Sequence, residues 1–73
     1  MARHRRDRER ELERQLQAHE VLRLRGYAFR AGDHGGVVVE RWGSFVGIWS
    51  HLDGMFEWTP GGNQEPTDRF RGL

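Results

Sequence analysis

Gly36 to Pro60, GVVVERWGSFVGIWSHLDGMFEWTP, holds most of the large apolar residues of the chain and alternates them with the period of a strand. Period two sends successive side chains to opposite faces of a sheet. Trp42-Gly43 and Asp53-Gly54 suit tight two-residue turns, and they cut the stretch into strands at 37–41, 44–50 and 55–59. Tyr27 to Ala31 reads as a strand before them, set off by the turn Gly32-Asp33-His34-Gly35-Gly36. Pro60-Gly61-Gly62-Asn63 ends the last strand.

Upstream, residues 3–25 are rich in Arg, Glu, Leu and Gln and contain no Gly or Pro before Gly26, which predicts a helix. Leu12, Leu16, His19 and Leu22 fall on one face. That stripe widens near Ala18 and Val21, so the second half is expected to carry the packing. The first turns pair opposite charges, as in Arg5–Glu9, Arg8–Glu11 and Arg10–Glu13, and read as a solvated extension.

The fold expected is α+β, an N-terminal helix packed on a four-stranded antiparallel β-meander. It forms a single small domain: residues 1–8 a basic arm, 9–26 the helix, 27–60 the meander, and 61–73 a polar tail in which Phe70 and Leu73 are the apolar exceptions. Seventy-three residues bury a modest share of their surface, and chains of this size commonly rely on a disulfide, a metal or a second subunit. The chain has no cysteine, so disulfides and thiolate metal sites are excluded. Association with a second copy or a partner is the remaining reinforcement.

With Trp42-Gly43 as the turn, Arg41 pairs with Ser44 and Val39 with Val46. One face then receives Val37, Val39, Val46, Ile48, Leu52 and Met55. The other receives Val38, Phe45, Trp49, Phe56 and Trp58. A half-solvated antiparallel sheet has one apolar face, and this register gives two. One helix covers only one of them. The aromatic set Phe45, Trp49, Phe56 and Trp58 is therefore the expected protein-binding surface, closed by a partner or by a second copy in a homodimer.

Catalytic and metal signatures are missing from the sequence. The histidines form no HxH or HxxxH pair, no serine sits in a nucleophile elbow, and no glycine loop opens a helix in the phosphate-binding manner. No cofactor and no enzymatic activity are expected. All twelve basic residues are arginine, and charge is uneven: +4 over residues 1–30 and −3 over residues 31–73. Arg5, Arg6 and Arg10 on the helix are the candidates for nucleic-acid contact, although the interleaved glutamates would repel phosphate. No apolar run approaches the length of a membrane span, and no apolar segment follows the charged N-terminus, so a cytoplasmic protein is expected.

The leading expectation is a small non-enzymatic protein-binding module that occludes or bridges a macromolecular surface. Compact chains of this class are commonly accessory proteins of phages and mobile elements, and inhibition of a bacterial defence complex is the finer form of that expectation. The alternative is a nucleic-acid-binding accessory or regulatory protein using the Arg-rich helix.

Overall fold

A computed structural model describes residues 5–71, and side chains from residue 7 onward. Residues 1–4, half of the expected basic arm, and residues 72–73 lie outside the described residues. The fold is α+β, two helices on one antiparallel sheet. Its elements are α1 (Arg5–Gln17), α2 (Glu20–Leu24), β1 (Tyr27–Ala31), β2 (Val37–Arg41), β3 (Ser44–Leu52), β4 (Met55–Pro60) and β5 (Asp68–Phe70). The strands form a meander in the order β1-β2-β3-β4-β5, five strands where the sequence suggests four. The fifth comes from the segment expected to be tail: Phe56 pairs with Phe70, Glu57 with Arg69 and Trp58 with Asp68. Among the described residues, no helix is long and apolar enough to cross a membrane.

Both expected tight turns form. Trp42 and Gly43 have φ of 51° and 82°, Asp53 and Gly54 have 52° and 78°, and the flanking pairs are Arg41–Ser44 and Leu52–Met55. Two successive positive φ values give the turn twist that matches a right-handed hairpin.

The expected register fails three residues beyond the first turn. A β-bulge lies between Val39 and Glu40, so Glu40 pairs with Phe45 but Val39 pairs with Gly47 rather than Val46. One extra residue on β3 reverses the parity of everything beyond it. Val37 then lies opposite Trp49, and Trp49 opposite Trp58. Trp49 and Trp58 thereby join Val37 and Val39 on a single face. Ile48, Ser50 and Glu57 take the other face, together with Arg30 and Glu40. The sheet thus has one largely apolar face and one mixed polar face with the ion pairs Arg30–Glu40 (3.2 Å) and Arg69–Glu57 (2.9 Å). The two apolar faces of the simpler register do not exist.

The helical segment is interrupted at Ala18-His19, where His19 is extended (φ −80°, ψ 100°). Its two ends are anchored at Gly36 and Trp42, six residues apart along β2, roughly 20 Å. At one end Glu9 holds the β1–β2 loop. At the other, the Trp42 amide donates to the Gly26 carbonyl at 2.9 Å. An unbroken helix from residue 9 to 25 would run about 24 Å, and the break takes up the excess.

Packing along the helices is the reverse of the sequence expectation. The N-terminal half docks: Leu12 is 3% exposed and Glu9 4% exposed, on the side of the sheet that carries the buried Val37 and Val39. Leu16 is half-buried. In α2 no residue is buried, and Val21 and Leu24 face solvent. Val21 therefore does not cover the valines.

Candidate functional site: an aromatic hollow beside the helices

The two helices lie over β1, β2 and β3, and neither approaches β4 or β5. Five strands at about 4.8 Å spacing make a face about 19 Å wide, while a helix is about 10 Å across. The part of the face over β4 and β5 is left without helical cover. Into it project the side chains that the bulge has moved to this face.

The result is an open hollow of about 350 Å³. Its floor is Trp49, Trp58 and Val39, its helical wall is Leu16 and Leu22, and Tyr27, Phe29, Val46 and Phe70 complete the apolar lining. Asp68 is the single charged residue among those lining it. The rings support one another: Trp49 and Trp58 have centroids 5.2 Å apart at 46°, and Trp49 and Phe70 are 5.8 Å apart at 53°. Such tilted pairs add to the stabilisation given by burial alone. The Trp58 ring lies across Gly47: a Cβ there would come within 2.6 Å of it. Glycine in mid-strand is thus required by a neighbouring ring, as its position suggests.

Of the four aromatic residues expected to act together, Trp49 and Trp58 form the floor of the hollow. Phe56 is on the same face, half-buried beside His51, whose ring meets it edge-on at 4.8 Å. Phe45 stands apart. It precedes the bulge, shares the polar face with Glu40, and lies exposed against Gly61. The aromatic face is also the helix side of the sheet, not the opposite side. Tyr27, Phe29, Leu22 and Phe70 belong to the site and are not singled out by the sequence. The one sequence signal for Phe70 is its isolation as an aromatic in a polar tail.

Arg10 is exposed on α1 in a shallow groove that also holds Asp7, Glu13 and Arg14, so its surroundings are charge-balanced. The side chains of Arg5 and Arg6 lie outside the described ones. No group of three or more His, Asp or Glu that could hold a metal occurs among the described residues. His51 and Glu57 fall on opposite faces of the sheet, as their pairing with Phe56 and Ser50 requires.

Comparison with protein-family models, with curated proteins and with solved structures finds no match for this chain.

Proposed function

We propose that the chain is a small non-enzymatic protein-binding module whose contact surface is the hollow floored by Trp49 and Trp58 and edged by Phe70. The observation that carries the reading is that a cluster of two tryptophans and Phe70 is left outside the helical cover of its own sheet face. Contiguous apolar surface of this kind is characteristic of interfaces, and tryptophan is enriched among the residues that dominate binding energy. The module would act by occluding or bridging the surface it binds. Its finer form, a phage-type inhibitor of a bacterial defence complex, belongs to the same proposal. The charge balance around Arg10 gives no specific support to the nucleic-acid alternative.

The test uses the immobilised chain beside two variants. Phe70→Glu puts a charge on the rim of the hollow. Phe45→Glu puts the same charge on the opposite face. A polypeptide, including a second copy of the chain, that is retained by the unmodified protein and Phe45→Glu but lost with Phe70→Glu supports the reading. Partners that depend on Phe45 and not on Phe70, or no retained polypeptide at all, would refute it.

A further inference from the structure

We infer that the β2–β3 turn and the corner between α2 and β1 together form a contact site for single-stranded nucleic acid. Trp42 is its stacking platform for a base, and Arg41, Arg25 and Arg23 supply the charge that meets phosphate. The site is distinct from the hollow, whose lining includes neither Trp42 nor these arginines. The first observation is the Trp42 ring. A Cβ built on Gly26 would come within 2.3, 2.4 and 2.6 Å of its Cδ2, Cε2 and Cε3 atoms, and three such near-equal distances put the ring broadside on the glycine. One broad side is thus backed by main chain. With 73% of the residue exposed, the other faces water. The backbone beneath is fixed: the Trp42 amide donates to the Gly26 carbonyl at 2.9 Å. Its φ of 51° is one that Asn, Asp or Gly is favoured to adopt at this turn position. Strained residues of this kind cluster at ligand-binding sites.

Charge is the second observation, independent of the ring. Over residues 21–32 and 41–52 the sequence has Arg23, Arg25, Arg30 and Arg41 and no aspartate or glutamate. Arg30 is taken by Glu40 on the opposite face of the sheet. Among the described residues, Arg23, Arg25 and Arg41 are exposed and form no ion pair. Arg41 is also oriented in advance. Its Nε donates to the Arg25 carbonyl at 3.0 Å, and its Cζ lies 4.9 Å from the centre of the Tyr27 ring. Its two Nη groups are left for an outside acceptor, and paired donors of this kind suit a phosphate. The carbonyl that holds Arg41 and the glycine that carries the Trp42 ring belong to consecutive residues, so guanidinium and ring lie within about 10 Å of one another. A flat ring open on one side, beside unpaired arginines, holds single strands without reading sequence: any base stacks, and the backbone meets positive charge. An acidic polypeptide would use the arginines and leave the platform idle.

The test is fluorescence anisotropy of a labelled single strand of about 12 nucleotides, titrated with the full chain at low salt, beside Trp42→Asn and Arg41→Gln. Asparagine suits the turn, and circular dichroism checks that each variant is folded. The unmodified chain is expected to bind the strand, and to bind the matching duplex, whose bases are already stacked, more weakly. Trp42→Asn is expected to weaken single-strand binding about tenfold. Arg41→Gln is expected to lower the salt dependence of the affinity by about one phosphate contact. No binding up to about 1 mM chain, equal affinity for strand and duplex, a folded Trp42→Asn that binds as well as the unmodified chain, or a salt dependence unchanged in Arg41→Gln overturns the inference. So does binding lost only in Arg5→Glu/Arg6→Glu/Arg10→Glu, which would put nucleic acid on α1, or a polypeptide retained through Trp42 in place of the strand.

Discussion

Glu9 on α1 reaches the backbone of β3, where the His51 amide donates to its Oε2 at 2.9 Å. Its other oxygen accepts from the Gly36 amide at 2.7 Å. Val37 is the first residue of β2 and pairs with Trp49, so His51 lies beyond the end of the β2 ladder. The carboxylate takes the place of the missing strand partner and ties the helix, the loop and the sheet at one point. An unpaired buried amide costs about 1–3 kcal/mol, and a hydrogen bond to a charged group contributes about 1.5–3. Glu9→Ala is therefore expected to destabilise the fold by about 3 kcal/mol or more in urea denaturation. Glu9→Gln keeps one acceptor but sets its amide group against a second donor, and it should lose roughly half as much. Equal stability of all three proteins would show that the clamp contributes nothing.

Gly47 sits where a Cβ would come within 2.6 Å of both the Thr59 carbonyl oxygen and the Trp58 ring. The carbonyl belongs to the neighbouring strand and cannot step aside cheaply. Gly47→Ala should cost about 1–3 kcal/mol, the range for overpacked sites. It should also shift tryptophan emission, because the ring that must move forms the floor of the hollow. A stability loss with unchanged emission would mean that the strand yields and the ring does not.

Much of the fold was legible because its signals are local. The β-branched run at Val37–Val39 and the turn pairs Trp42-Gly43 and Asp53-Gly54 specify three strands and two hairpins. The parts that were not legible depend on single residues acting over long distances. A bulge inserts one residue and leaves little trace in composition, yet it moved Trp49 and Trp58 to the other face. Glu9 looked like one more charge on a solvated helix, because nothing nearby in sequence shows that two amides await it. β5 is three residues long, too short for periodicity to show, and Phe70 gains meaning only when it pairs with Phe56. The candidate site was half legible for the same reason: the aromatic residues were visible as a set, but their face was decided by the bulge.

Trp42 is the counterpart of Gly47, a large ring where the backbone favours a small residue. It has φ of 51°, and its ring lies over Gly26, where a Cβ would meet it at 2.3 Å. The side chain is 73% exposed, so the ring removes only a small area from water. At about 25 cal/mol per Å², burying about a quarter of a tryptophan contributes roughly 1–2 kcal/mol. The left-handed conformation costs a residue of this kind about 1–2 kcal/mol, and asparagine tolerates it better. The two effects nearly cancel, so Trp42→Asn should change stability by less than about 1 kcal/mol. Gly26→Ala has no such compensation: φ there is +87° and the ring blocks the new methyl. It should lower the melting temperature clearly. A large loss from Trp42→Asn would show that the ring packs more strongly than its exposure implies.

Leu12 and Leu24 test the direction in which the helical segment docks. Both are leucines, three residues after Glu9 and one residue before Arg25 respectively, yet Leu12 is 3% exposed and Leu24 is 70% exposed. Truncating a buried leucine removes its transfer free energy and leaves a cavity, for about 2–5 kcal/mol. Truncating an exposed leucine changes the folded monomer by no more than about 0.5 kcal/mol. Leu12→Ala should therefore cost several times as much as Leu24→Ala when both are measured at a concentration where the chain is monomeric. Leu24→Ala as damaging as Leu12→Ala would place Leu24 against its own sheet.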